Sequence, residues 1–254
     1  MVYIRRWEAY IPANKVVVDG KEVPALSKDE DEITVGYEVL SRFDNLHKYS
    51  HIFIADETKN LELHTIYELL DLDISPVIFK SFSEGFIYGL KQAPSLVTVI
   101  RTNPPAGSVT FEISEGDGRV AILKYLFKRE FLGFLRTDLT DEKALNELIS
   151  DASATSLSKV LSKLLRARKV KSDGLKIVSG FVNNPKIIDK ALAKFKLKKA
   201  DVSDAEELRK SGFKGGLGTA LALSKALSKC STQEKIVFVG GSASEGILTL
   251  YMQC

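Results

Sequence analysis

The feature that most constrains the fold of this chain is an internal repeat. In the first half a turn and helix, SFSEGFIYGL, precede the apolar run Leu96–Ile100, and in the second half GFKGGLGTALAL precedes KIVFV. In each half a helix, a short buried strand and a second helix come before this unit, and a further strand follows it. Apolar strands alternating with helices predict duplicated βαβαβ halves in a layered α/β fold. We place the halves at residues 1–126 and 127–254 and expect one compact unit.

Composition and charge narrow the classes of function. The 254 residues, 44% hydrophobic and 27% charged, suit a globular protein. A formal net charge of +3 is too small to indicate nucleic acid, and no segment resembles a signal peptide or a membrane span. The two cysteines, Cys230 and Cys254, predict neither a disulfide framework nor a zinc site. We therefore expect a cytoplasmic protein without nucleic-acid or membrane partners.

Local patterns predict individual elements around the repeat. Ser27, followed by acidic residues at 29–32, is typical of an N-cap and predicts the start of a helix. Phe127–Leu135 predicts an outer strand at the beginning of the second half.

The turn in the first repeat presents a serine. The strand Pro76–Lys80 leads into Ser83-Glu84-Gly85, and Phe86 is expected to open the helix. At a helix N-terminus, free backbone N–H groups and the helix dipole favour negative charge. Enzymes place nucleophiles on such turns, although the commonest role of a serine before a helix is that of an N-cap. These residues by themselves leave both roles open.

The repeat and four short motifs resemble the thiolase superfamily, in particular HMG-CoA synthases and ketoacyl synthase III enzymes. The resemblance implies two similar halves packed in a five-layer αβαβα arrangement, usually as a dimer. The motifs extend over nearly the whole chain, and each is degenerate. They are residues 9–12 with 29–34, the nucleophile turn 83–90, the segment 184–188, and the two glycine loops 212–223 and 240–246.

The resemblance also implies which residues stand at the catalytic positions. In that family a cysteine thiolate takes an acyl group from a thioester, assisted by a histidine and an asparagine. Here the cysteine position is occupied by Ser83, the histidine position by Phe181 and the asparagine position by Phe213. A serine hydroxyl needs a neighbouring general base to attack, and phenylalanine neither moves a proton nor donates a hydrogen bond. We expect the two phenylalanines to fill the former pocket together.

Two other residues match functional positions of HMG-CoA synthases. Glu57 falls where these enzymes carry a glutamate acid/base, and Lys186 falls where they carry a lysine that contacts the substrate or CoA. Each also has an ordinary explanation, because Glu57 follows a strand in a charged loop and Lys186 is one of many helix lysines.

Three functions remain open at this stage. The first is a thiolase-like subunit without condensing activity, which acts as a structural or regulatory partner. It would form a homodimer, or a heteromer with a thiolase or HMG-CoA synthase, through the sheet edge near Val77–Lys80. The second is an active acyl-CoA transferase, synthase or hydrolase in which Ser83 attacks, Glu57 is the base and Lys186 holds CoA. The third is a module that binds CoA without chemistry. We expect no metal or resident cofactor, and a CoA thioester is the ligand that the resemblance suggests.

Overall fold

The structure is a computed structural model, and it describes most of the chain. The described residues are 1–56, 63–73, 77–128, 175–193, 199–242 and 246–254, together with the single positions Lys159 and Ser162. No helix in these ranges has both the length and the apolar character needed to span a membrane.

The described residues form the following strands and helices. The strands are β1 (Val2–Tyr10), β2 (Lys15–Val18), β3 (Lys21–Pro24), β4 (His51–Asp56), β5 (Val77–Phe79), β6 (Ser95–Arg101), β7 (Gly107–Glu115), β8 (Val120–Lys128), β9 (Lys176–Gly180), β10 (Lys235–Ser242) and β11 (Gly246–Gln253). The helices are α1 (Glu32–Leu40), α2 (Leu63–Leu69), α3 (Phe82–Lys91), α4 (Ile187–Ala193), α5 (Ser203–Lys210) and α6 (Gly215–Ser228).

Strand pairing shows that the two halves share one topology. The nine-stranded sheet has the order β5-β4-β6-β7-β1-β8-β11-β10-β9. In the first half β4 and β6 are parallel, and β6, β7 and β1 are successively antiparallel. In the second half β9 and β10 are parallel, and β10, β11 and β8 are successively antiparallel. The halves meet where β1 pairs with β8 through three residue pairs, Val2 to Ile4 with Ile122 to Val120.

Matching strands also direct matching residues inward. β7 begins GSVTFEI and β11 begins GILTLYM, so a glycine and a threonine recur at the same positions. The alternate residues of both strands lie in one central core cluster: Val109, Phe111 and Ile113 from β7, and Leu248, Leu250 and Met252 from β11.

Three core clusters define five layers. The central cluster combines side chains of α3 and α6 with the facing sides of both halves of the sheet. One outer cluster packs α1 and α2 against the far side of the first half. Another outer cluster packs α4 against the far side of the second half. The layers are therefore helix, sheet, helix, sheet and helix, which confirms the predicted fold class.

The predicted division between residues 126 and 127 falls inside a strand. β8 runs unbroken through Lys128 and pairs with β11, so Phe127 belongs to β8 and not to a separate outer strand. In the strand order, β8 holds the position in the second half that β1 holds in the first, so β8 is the first strand of the second half. The turn at residues 116–119, which precedes β8, is where the two topological repeats meet.

The prediction that Ser27 begins the first helix is wrong. Helix α1 begins at Glu32, and its N-cap is Asp31, whose carboxylate accepts a hydrogen bond from the Thr34 N–H at 2.8 Å. Residues 27–30 form a turn in which Glu30 accepts hydrogen bonds from the Ser27 N–H and hydroxyl, at 2.8 and 2.7 Å.

The same Glu30 carboxylate ties this turn to β1. It accepts a hydrogen bond from the hydroxyl of Tyr10. This bond is the main cause that lowers the pKa of Glu30 and raises the pKa of Tyr10 to about 12. An acidic residue that precedes a helix can therefore serve a neighbouring strand instead of the helix.

The sequence predicted no disulfide framework, and the structure contains one disulfide within the described residues. Cys230 and Cys254 form a disulfide with their Cα atoms 6.1 Å apart, at a sequence separation of 24. The β10–β11 hairpin returns the end of the chain to the end of α6, where the Gln233 N–H donates to the Cys254 carbonyl. The spacing of the two cysteines in the sequence does not predict this disulfide, because the cysteines become neighbours only when the β10–β11 hairpin folds.

Candidate functional site

Helices α3 and α6 begin at the same edge of the sheet. Helix α3 leads into β6, which is parallel to β4, and α6 leads into β10, which is parallel to β9. A helix that connects parallel strands begins at their carboxyl ends, so both helices begin there. In open α/β sheets, ligands bind outside this edge. We call the region formed by the first turns of α3 and α6, with residues 181–186 after β9, the edge site.

The beginning of α6 packs closely against residues of both halves. A methyl group added to Gly218 in α6 would lie 3.3 Å from Val182, which follows β9. A methyl group added to Gly107, at the start of β7, would lie 3.6 Å from Leu217 in the first turn of α6. The turn between β6 and β7 belongs to the first half, so the beginning of α6 contacts both halves at this edge.

Ser83 lies in the first turn of α3 and not before the helix. The helix begins at Phe82, four residues earlier than predicted, and its N-cap is Ser81, whose hydroxyl accepts from the Glu84 N–H at 3.3 Å. Ser83 is the second helical residue, and its side chain is fully buried. The N-cap role that we considered for Ser83 therefore belongs to Ser81.

Aromatic rings surround the beginning of α3. Phe82 and Phe86, which flank Ser83 along the helix, have ring centroids 5.4 Å apart. Both rings pack on Phe111 of β7, at 5.7 and 5.4 Å, and the second contact is edge-to-face. All three rings are fully buried in the central cluster. The first turn of α3 is therefore packed against the apolar central core.

The two phenylalanines at the predicted catalytic positions do not fill one pocket. Phe213 is 7% exposed and lies in the central cluster just before α6, whereas Phe181 is 3% exposed and lies in the outer cluster with α4. The expectation that they close the former pocket together is therefore wrong. Val182 is the residue of this segment that enters the central cluster.

Sequence reasoning missed one residue of the edge site, Val182, and one residue that supports it from β9, Ser179. Val182 points inward because side chains alternate along an extended chain, so Ile177 and Phe181 face outward and Val178 and Val182 face inward. Ser179 is fully buried, and its hydroxyl donates to the Pro185 carbonyl at 2.8 Å. This bond shapes the turn that carries residues 181–186. Alternation from β9 is the signal that could have identified Val182, whereas nothing local marks Ser179.

The structure describes Lys186 but not Glu57. The Lys186 side chain is 71% exposed, and its Nζ lies 3.7 Å from the Glu206 Oε1. It is a surface residue that makes an ion pair with α5. Glu57 directly follows β4 and lies outside the described residues.

Within the described ranges, the buried carboxylates belong to ion pairs. Glu112 lies 3.2 Å from the Lys48 Nζ, and Asp204 lies 2.6 Å from the Lys229 Nζ. His51 begins β4 and His47 precedes it, so both are at the amino edge, away from the edge site. Among these residues no group of three His, Cys, Asp or Glu is placed to hold a metal ion.

Comparison with known proteins identifies the fold. No protein-family model matches the sequence, and no curated protein sequence matches it significantly. Among solved structures, 3-oxoacyl-[acyl-carrier-protein] synthase III from Aquifex aeolicus VF5 superposes with a TM-score of 0.70 at 14% identity, covering 100% of both chains. A tetronic acid condensing enzyme gives 0.69 at 11% identity, covering 99% of both chains.

HMG-CoA synthase complexed with CoA gives a TM-score of 0.65 at 12% identity, covering 99% of this chain and 81% of that chain. These proteins are members of the thiolase superfamily. The chain therefore has the thiolase-like fold that its sequence motifs suggest, and at such low identity the likeness concerns the fold alone.

Proposed function

We propose that this chain is a thiolase-like protein without condensing activity that serves as a structural or regulatory partner of an acyl-CoA enzyme. The observation that supports this most is the state of the edge site. The residue at the nucleophile position, Ser83, is a fully buried serine in the first turn of α3. The asparagine position is occupied by Phe213, which is packed into the central core.

The chemistry of condensation explains why these residues matter. A serine hydroxyl attacks a thioester only when a neighbouring base accepts its proton, and the developing oxyanion needs hydrogen-bond donors. The buried carboxylates of the described residues are held by Lys48 and Lys229, and Phe181 and Phe213 provide neither a base nor a donor. The fold can persist because the apolar central cluster does not depend on the reactive groups.

The partner role is supported by an edge strand. Among the described strands, β5 is the last at its end of the sheet, and an edge strand offers unpaired backbone groups to another chain. Ile78 on this strand is 58% exposed, and Tyr88, whose ring is 4.9 Å from that of Phe79, is 43% exposed. We propose that this edge forms a homodimer or a heteromer with a thiolase or HMG-CoA synthase in the cytoplasm.

A direct test is the release of free CoA from acetyl-CoA and from longer acyl-CoA thioesters, followed by chromatography. We expect wild type, Ser83→Ala and Glu57→Gln to release CoA at the same uncatalysed rate. The competing function is an acyl-CoA transferase or hydrolase in which Glu57 activates Ser83 and Lys186 holds CoA. It requires a wild-type rate that falls by roughly 100-fold or more in both variants, since general-base assistance contributes about that much.

A further inference from the structure

Hairpin β2–β3 is a separate two-stranded sheet with one buried and one exposed strand. Its strands are joined by Asp19 and Gly20, which both have positive φ. β3 is the inner strand, because Val23 is 2% exposed and packs against Gly212 so closely that any side chain at position 212 would collide with it. β2 is the outer strand, because all four of its residues are exposed.

A hydrogen bond at the base of the hairpin shows which way each residue of β2 turns its backbone groups. The Ala25 N–H donates to the Asn14 carbonyl at 2.9 Å, so the carbonyl of Asn14 faces the inner strand. This direction alternates along a strand, so the backbone groups of Lys15 and Val17 face outward. Pro24, which lacks an N–H, stands opposite Lys15, as the alternation requires. No other described strand pairs with the outer edge of β2.

The side chains of β2 make its outer edge suitable for pairing with another strand. Val17 is 71% exposed, and Val16 and Val18 beside it are also exposed. Valine is enriched in strands, and an exposed apolar edge strand is a template for another chain. The three valines are flanked by charges of opposite sign, Lys15 before them and Asp19 after them.

We propose that β2 pairs with β2 of a second copy of this chain, antiparallel and centred on Val17. In this register the outward-facing backbone groups of the two Val17 residues bond to each other, and each Lys15 lies opposite Asp19 of the other copy. Parallel pairing in register would place like charges side by side, which is destabilising. The two hairpins together form a four-stranded sheet with twofold symmetry.

This contact is separate from the edge strand β5 and weaker than a permanent interface. Two strands of four residues bury far less than the roughly 1,200 Å² of a stable interface, so the two copies associate reversibly and more at high protein concentration. The hairpin is not part of the nine-stranded sheet that contains β5. The proposal therefore does not rest on the function proposed above.

Disulfide cross-linking tests the pairing at its centre. The sequence contains only two cysteines, and both are in the native disulfide, so Val17→Cys introduces the single free thiol. Opposite residues of a hydrogen-bonded antiparallel pair have Cα atoms about 5.5 Å apart, a separation that a disulfide spans. The measurement is the rate at which a mild oxidant converts this variant into a covalent dimer, followed by non-reducing electrophoresis.

The matched control is Glu22→Cys. Glu22 lies opposite Val17 on the same face of the hairpin and is also exposed, but it belongs to β3. In the four-stranded sheet its two copies would be three strand spacings, or about 14 Å, apart, which is too far for a disulfide. We expect Val17→Cys to cross-link at least roughly tenfold faster than Glu22→Cys, whose rate reports random collisions. Equal rates would overturn the proposal.

The charges at the two ends of β2 test the register. In the Val17→Cys variant, Lys15→Asp places carboxylates opposite each other at both ends and should slow cross-linking roughly tenfold. Adding Asp19→Lys makes the charges opposite again and should restore the rate. The proposed register is wrong if Lys15→Asp has no effect, or if the restored pair stays slow in a chain that circular dichroism shows to be folded. Cross-linking needs no acyl transfer, so this test can fail while the proposed function stands.

Discussion

Removal of the Cys230–Cys254 disulfide is expected to lower the free energy of unfolding by about 3 kcal/mol. A cross-link between residues 24 apart restricts the unfolded chain, and the loss of that restriction has about this magnitude for loops of this size. The measurement is urea denaturation of wild type and of the double variant Cys230→Ser/Cys254→Ser, followed by circular dichroism. The double variant should unfold at a clearly lower urea concentration.

Reduction supplies the internal control for this prediction. Wild type treated with a thiol reductant should unfold at the midpoint of the double variant, and the reductant should leave the double variant unchanged. Equal midpoints for oxidised wild type and the double variant would show that the disulfide adds no stability. The result also bears on the proposed cytoplasmic location, because reducing compartments rarely keep structural disulfides, except in hyperthermophiles.

Gly89→Ala is expected to destabilise the protein by about 2 kcal/mol, which is typical of an added methyl group in a packed core. Gly89 lies in α3, where its missing side chain lets the helix approach β6 so closely that an added methyl would collide with Val97. Val97 is fully buried, and a valine side chain has little rotamer freedom with which to yield. Urea denaturation measures the change.

Gly85→Ala is the matched control in the same helix. A methyl group at this position would lie 3.4 Å from the Phe79 ring, which is an ordinary contact. Alanine is also the better helix former by about 1 kcal/mol, so this variant should be as stable as wild type or more stable. If both variants had the same stability, α3 would not be pressed between the two halves of the sheet as the layered core requires.

The central layers were predictable because their signal is local. Apolar runs such as Leu96–Ile100 are long enough to cross a buried sheet, and the order of turns and strands repeats in the second half. The existence of a helix after the Ser83 turn was also predictable, but its first residue was not. Two serines, Ser81 and Ser83, compete for the cap, and only the backbone conformation decides between them.

The remaining features depend on contacts between distant parts of the chain. The direction of Phe181 follows from the pleat of β9, and an alignment by motif cannot show it. The β2–β3 hairpin had a local signal, Asp19-Gly20 between valine-rich strands, that our reading did not use. Its position on Gly212 has no local signal, because residues nearly two hundred positions apart meet there.

The central claim is that the chain keeps the thiolase-like fold but has lost the chemistry at its reactive positions. Intact-protein mass spectrometry after incubation with acetyl-CoA tests this claim most directly. Wild type and Ser83→Ala are compared side by side. The account predicts that both keep their unmodified mass. An added acetyl group on wild type that is absent from Ser83→Ala and maps to the peptide containing Ser83 would contradict the claim of lost chemistry.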